Sequence, residues 1–355
     1  MNRIKIGKKI IGDTQPLYFI ADIGANHNGD LEKALRLIEL AKEAGADAAK
    51  FQNFQANKIV SAKGFEDLGK QLTHQATWKK SVFEIYEDAS VSFEWTQKLK
   101  EKCDEIEIDY FTSPYDFESV DHVEDFVDIY KIGSGDITWT EMIKYIALKH
   151  KPIIIATGAS DMQDVERAMN ILEGITKDIV LMQCNTNYTV DPEKIKYVNL
   201  NVLKNFQKKY PEVTLGLSDH TVGHATVLGA IAFGALFIEK HFTDDNNQEG
   251  PDHKFAMNPK SWREMVDRSY ELYYALGDGI KRVEENEEAS LIVQRRSIRA
   301  STDMSIGTII TAESLEYLRP IPADGFAPYQ SEELIGKELQ LPLKKGQHFT
   351  KKHIN

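Results

Sequence analysis

Residues 215–252 read LGLSDHTVGHATVLGAIAFGALFIEKHFTDDNNQEGPD. A short apolar run, 213–217, ends in Ser218, Asp219 and His220. An Ala/Gly-rich segment follows over about 223–234, and a second apolar run, 236–238, ends in Glu239, Lys240 and His241. The pattern predicts strand, helix, strand, with one histidine just past the end of each strand. Consecutive strands joined by one helix lie parallel and side by side. Both imidazoles then share one sheet edge, within reach of a single ion. Neutral imidazole is a common ligand for divalent metals, and the spacing suits two strands better than a zinc-finger loop. The stretch alone leaves two readings open: a metal pair, or two ordinary strand-end histidines.

Composition narrows the class. The chain has 355 residues, 42% hydrophobic and 28% charged, with a formal net charge of −12. That balance is ordinary for a globular protein. The negative charge argues against non-specific nucleic-acid binding, so an anionic substrate needs local lysines. Cys103 and Cys184 make no disulfide framework. The N-terminus MNRIKIGKKIIGD lacks the apolar core of a signal peptide. No apolar run approaches the roughly 18 residues of a membrane span. The expected compartment is the cytoplasm.

The strand–helix unit recurs along the chain. Residues 1–16 suggest a hairpin. Strands are expected at 17–21, 47–51, 109–112, 129–132, 153–156 and 179–182, before the two in the opening stretch. Leu31, Ala34, Leu35, Ile38 and Ala41 repeat at helical spacing behind Asp30, and Gly45 closes that helix. Residues 55–90 form a polar excursion with a helix near 79–88. Eight such units over about 280 residues match a (β/α)8 TIM barrel. A charged linker is expected over 281–290. Residues 291–355, rich in short strand-like pieces and glycines, form a small β-rich domain. The expected division is thus 1–280, 281–290 and 291–355.

In such barrels chemistry sits at the C-terminal strand ends. Here those ends carry Asp22, Lys50 with Gln52, Ser113, Lys131 with Ser134, Thr157, Thr186 with Tyr188, Ser218 with His220, and His241. Loop starts are polar in any protein. Lys50 and Lys131, however, fall within strands, and a lysine pointing into a barrel needs an anionic partner. The pattern therefore predicts an anion site inside the barrel.

The motifs ADIGANHNG (21–29), KFQ (50–52), SPYD (113–116), YKIGSGD (130–136), ATG (156–158), GLSDHT (216–221), EKHFT (239–243) and GPDH (250–253) follow one another in the order of the sialic acid synthase family. That family includes the synthases of legionaminic and pseudaminic acids. LRPIPADGFAP (318–328) resembles its C-terminal antifreeze-like (SAF) domain. The resemblance covers nearly the whole chain. It implies condensation of phosphoenolpyruvate with an open-chain N-acetylated hexose, giving a nine-carbon 3-deoxy-2-keto acid and phosphate. It also implies a divalent metal, manganese or magnesium, on His220 and His241, with Asp22 and Asp252 beside it as catalytic carboxylates.

By the same resemblance Lys50, Lys131, Ser134, Thr157, Thr186, Tyr188 and Ser218 hold phosphoenolpyruvate. Lysines supply charge and hydroxyls supply directed donors. Gln52, Tyr115, Asp136 and Arg319 face the sugar. Arg319 would reach the partner's site, which implies a domain-swapped homodimer. The chain departs from the family pattern at several places. Asp22 and Asp136 stand where glutamate is usual, Ala156 replaces a serine, Thr186 replaces asparagine or serine, and Thr189 replaces a proline. These changes leave the exact sugar open.

Other candidates have a bland reading as well as a functional one. His27 is either a substrate ligand or a packed strand-end residue. Cys184 is expected as a small core residue with no thiolate-stabilising surroundings, and His224 and His253 as surface or supporting groups. A barrel metallohydrolase would want more histidines after the first strand. A synthase acting on a sugar phosphate would want a second, arginine-rich pocket. A non-catalytic sugar-binding barrel would not need both lysines and both histidines.

Overall fold

The computed structural model describes residues 3–12, 15–72, 75–76, 78–186, 188 and 190–354. The Thr189 departure lies outside them. The chain forms two compact units, Met1–Gly277 and Asp278–Asn355. The division falls at Gly277, and residues 277–284 after it carry no helix or strand. Of the residues expected to link, 281–284 are irregular, while Glu285–Glu287 forms a 3-10 turn and Glu288–Gln294 a helix, both in the second unit. The sequence EASLIVQ supplies strong helix formers at its start, which the charge run obscured.

The first unit opens with a hairpin, Ile4–Ile6 paired antiparallel with Lys9–Ile11. Eight parallel strands follow: β1 Tyr18–Asp22, β2 Ala48–Asn53, β3 Asp109–Pro114, β4 Tyr130–Ile132, β5 Ile153–Ala156, β6 Ile179–Cys184, β7 Thr214–Asp219 and β8 Ala235–His241. Their order in the sheet is β3-β2-β1-β8-β7-β6-β5-β4. The end strands β3 and β4 also lie against each other, which closes the sheet into a TIM-like barrel. Strands such as Ile153-Ile154-Ile155-Ala156 are buried throughout, as a sheet covered on both faces requires.

The helices form where the sequence caps them. Asp30 accepts from the Glu32 and Lys33 backbone N–H groups and starts the helix Leu31–Glu43. Its buried face is Ala34, Leu37, Ile38 and Ala41. Burying the two larger side chains stabilises the fold by roughly 1.5–3 kcal/mol each. Asn258 and Ser261 cap Pro259–Leu276 reciprocally. Two short helices, Ala56–Ile59 and Ala62–Asp67, were not expected, because neither is long enough to show a periodicity.

In the second unit Ser297–Ala300 pairs antiparallel with Leu315–Leu318. The pieces at 308–310 and 338–341 pair through an isolated bridge, Ile309 to Glu338, not as strands. A small core of Ile298, Ile310, Leu334, Leu339 and Phe349 holds the unit together. Among the described residues, no helix is long and apolar enough to cross a membrane.

Candidate active site

A strand's side chains alternate, so every second residue of β8 faces the barrel interior. Glu239 therefore points inward, as does His241. Glu239 meets Lys131 Nζ at 3.2 Å and Lys50 Nζ at 3.9 Å, reaching across to β4 and β2. The Ser218 hydroxyl donates to Glu239 Oε1 at 3.0 Å. Lys50 Nζ lies 2.7 Å from Asp22 Oδ2. Lys50, Lys131, Asp22 and Glu239 are each at most 4% exposed.

This ring carries two positive and two negative charges. Burial alone would push the Asp22 and Glu239 carboxyls up. The adjacent lysines outweigh it and hold both below the ordinary carboxylate range. The same pairing overrides burial at Lys50 and raises its ammonium. Glu239 Oε2 accepts no hydrogen bond. The Lys50 ammonium, 3.9 Å away, still offsets its charge.

The two histidines come together as the spacing predicted, with ring centroids 5.4 Å apart. One detail differs: His220 follows β7, but His241 is the last residue of β8. Its strand pairs on both sides, so the ladder runs one residue further than hydropathy shows. Asn185 O lies 3.0 Å from His220 Nδ1. A proton held there leaves Nε2 as the lone-pair donor. His241 stands between two carboxylates, with Nδ1 3.6 Å from Asp252 Oδ2 and Nε2 3.8 Å from Asp22 Oδ2. His241 Nδ1 is buried and has no hydrogen bond. Among the described residues, no three His, Cys, Asp or Glu side chains are placed to cage a metal.

Gly24 makes room for this arrangement. Its φ is +50°, and a Cβ there would sit 3.0 Å from Asp252 Oδ2 and 3.1 Å from His241 Nδ1. Gly158 plays the same part opposite. A Cβ on it would collide with Thr186 and come within 2.9 Å of Ser134 Oγ. The Gly158 backbone N–H donates to Ser134 Oγ at 2.9 Å. Ser134, Gly158 and Thr186 thus line one small cradle. Thr157 differs, because its hydroxyl donates to Met182 O at 2.9 Å and its proton is already in use. Ala156 is buried and offers no polar atom.

Tyr188 packs edge-on to His220 at 4.2 Å and lies 5.2 Å from Phe255. Gln52 donates to Asp22 Oδ2 at 3.1 Å. Burial pushes the Asp136 carboxyl up to about 6. Tyr115 stands next to it, and a Cβ on Gly133 would lie 2.9 Å from the Tyr115 hydroxyl. Burial and the Asp136 charge drive that phenol well above its ordinary range. Arg319 is exposed in the second unit, directly after the strand Leu315–Leu318.

The sequence reading passed over Glu239, although it lies at the centre of the ring. Its signal was present: Glu239 and His241 are two apart on one strand, so both face inward if either does. Cys184 is a buried core residue, as expected, but has a neighbour that the sequence did not reveal. Its Sγ lies 3.9 Å from His220 Nδ1. Burial would raise the thiol, but His220 and Ser134 together lower it. His27 is fully buried, accepts from Gly29 N–H at 3.0 Å and packs edge-on to Trp95. His253 bridges Thr243 and Asn28, at 2.7 and 3.1 Å. His224 caps the helix Ala225–Ala232 through its backbone.

Fold and site together define a (β/α)8 barrel with a buried lysine–carboxylate ring next to a histidine pair. A family model described as the NeuB family matches residues 37–281, and a SAF domain model matches 295–355. The chain belongs to the NeuB family. It is 35% identical to N,N'-diacetyllegionaminic acid synthase of Campylobacter jejuni, over 90% of this chain and 94% of that protein. It is 30% identical to human N-acetylneuraminate-9-phosphate synthase, over 93% and 90% of the two chains. The crystal structure of N-acetylneuraminic acid synthetase from Leptospira borgpetersenii superposes with a TM-score of 0.71. That match is 28% identical and covers 82% of this chain and 95% of that one.

Proposed function

We propose that this protein joins phosphoenolpyruvate to an open-chain N-acetylated hexose, forming a nine-carbon 3-deoxy-2-keto acid and phosphate. The carrying observation is the buried pair Lys50 and Lys131, both against Glu239. Two lysines and several hydroxyls suit a small multiply charged anion. The relatives' names, a legionaminic acid synthase and an N-acetylneuraminate-9-phosphate synthase, supply the reaction class.

In this reading Lys50, Lys131 and Ser218 hold one end of phosphoenolpyruvate, and Ser134 and Thr186 the other. C3 of phosphoenolpyruvate forms the new bond to the aldehyde carbon, whose oxygen takes up a proton and becomes a hydroxyl. Water adds at C2. The C2–O bond to phosphate then breaks, leaving a ketone and free phosphate. Asp22 and Asp252, on either side of His241, are placed to hold protons on the water or the new hydroxyl. Gln52, Tyr115 and Asp136 orient the sugar.

His220 and His241 would hold manganese or magnesium. The unpartnered, buried Nδ1 of His241 fits such an ion. When bound, the ion supplies Lewis-acid polarisation of the aldehyde.

The protein would work as a homodimer that exchanges its second units, with Arg319 gripping the partner's sugar. Ile280, Ile292 and Val293 are 64%, 49% and 54% exposed, as an uncovered interface would leave them. The human relative's name keeps a sugar-phosphate acceptor in view. Against it, no arginine is buried among the described residues.

The test is phosphate release from phosphoenolpyruvate with manganese. The acceptors would be N-acetylmannosamine, mannose, a 2,4-diacetamido-6-deoxymannose, its altrose counterpart and arabinose 5-phosphate. Release with one N-acetylated hexose supports the reading and names the sugar. Release with none of them overturns it.

A further inference from the structure

Lys240 and Asp219 form an ion pair at 2.5 Å, with both side chains only 1% exposed. The chemistry described above does not use it. The two residues are Cα partners in the β7–β8 ladder. Each immediately precedes one of the paired histidines: Asp219 comes before His220 and Lys240 before His241. By alternation both point away from the barrel interior, and their partners lie on that outer side. Lys240 Nζ also donates to Thr221 O at 2.6 Å. Asp219 accepts from the Thr221 N–H at 3.1 Å, the Thr221 hydroxyl at 3.0 Å and the Thr226 hydroxyl at 2.7 Å.

The two histidines differ in backbone support. His241 is held within β8, whose ladder to β1 includes its pairing with Asp22. His220 lies beyond the end of β7, so no ladder fixes its Cα. Asp219 and Thr221, the residues on either side of it, are both tied to Lys240. We propose that Lys240 and Asp219 are positioning residues that set the separation and aim of the two imidazoles, and hence the affinity for a divalent ion.

The energetics favour a specific role over general stability. A buried ion pair is a poor source of net stability, since desolvation offsets most of its attraction. A hydrophobic pair of similar size would hold the sheet equally well. What it could not do is bind the Thr221 carbonyl and N–H together. Groups that orient metal ligands typically contribute about 10–100-fold in affinity.

The inference rests on the two-histidine metal reading, and the test separates the two. Manganese binding is followed by the loss of the free-ion electron paramagnetic resonance signal, with no substrate present. Wild type, Lys240→Met and Asp219→Asn/Lys240→Met are compared, each with its Tm measured free of metal. The double variant keeps the volume and leaves no lone buried charge, so it carries the test if the single variant does not fold. We expect manganese to bind wild type, and to bind the folded variants about 10-fold or more weakly. Inorganic phosphate should still raise the variants' Tm as it does for wild type. A folded variant with wild-type manganese affinity overturns the positioning role. Wild type that binds no manganese overturns the metal reading, and the clamp's role with it.

Discussion

Glu239 stands 3.2 Å from Lys131 Nζ, so this buried cation is neutralised before any ligand arrives. An anion entering the ring must take over contacts that the carboxylate now makes.

Removing that carboxylate should therefore create an appetite for anions. Glu239→Gln leaves Lys131 without a charged partner, and breaking a buried pair costs on the order of 3–5 kcal/mol. The variant should melt lower than wild type in phosphate-free buffer. Added phosphate should raise its Tm by more than it raises that of wild type. Equal phosphate shifts in thermal melts would mean that Glu239 does not compete with the anion.

His241→Ala removes an imidazole whose two nitrogens each lie within 4 Å of a carboxylate. It should abolish manganese binding and nearly all phosphate release, while phosphate-induced stabilisation persists through the lysines. Full activity in chelator-treated buffer would sink the metal assignment.

Asp136 gives a pH signature. Its folded carboxyl titrates near about 6 because it is buried, against about 3.9 for a free aspartate. Between those values the folded state holds a proton that the unfolded state lacks. Its contribution to stability therefore falls as pH rises from about 4 to 6. A sugar that needs the carboxylate as acceptor should show kcat/KM rising through pH about 6. Asp136→Asn should flatten that limb. A limb unchanged in the variant would assign it to another group.

Arg319 can be tested by mixing. Arg319→Ala should raise the sugar KM with little effect on phosphoenolpyruvate. If it acts across a dimer, Arg319→Ala mixed with His241→Ala should regain activity through hybrid sites. Mixtures no more active than the sum of the separate variants would place Arg319 with its own barrel, or outside the reaction.

Much of this was legible in the sequence. Apolar runs placed all eight strands, because a sheet buried on both faces needs unbroken hydrophobicity. Lys50 and Lys131 stood out by interrupting such runs, and both prove to be buried against carboxylates. Strand ends were less clear. β6 and β7 continue through Gln183-Cys184 and Ser218-Asp219, polar residues whose partners lie elsewhere in the chain. The role of Glu239 was hidden for the same reason. EKH reads as a charged loop start unless the ladder is known to run through it. Lys240 and Glu239 are neighbours of opposite charge, yet each pairs across strands with someone else, and hydropathy carries no trace of that. The isolated bridge at Ile309 marks a further limit. A single pairing between turns satisfies the backbone without the alternation that announces a strand.

The internally balanced ring bears on how a ligand arrives. Lys50 and Lys131 face Asp22 and Glu239, so the pocket projects little field beyond its mouth, and the chain as a whole carries −12. A dianion diffusing toward it meets repulsion, with no steering at a distance. Salt shortens the reach of that repulsion. Encounter should therefore quicken with moderate ionic strength, the reverse of an enzyme that draws its substrate in through a positive funnel.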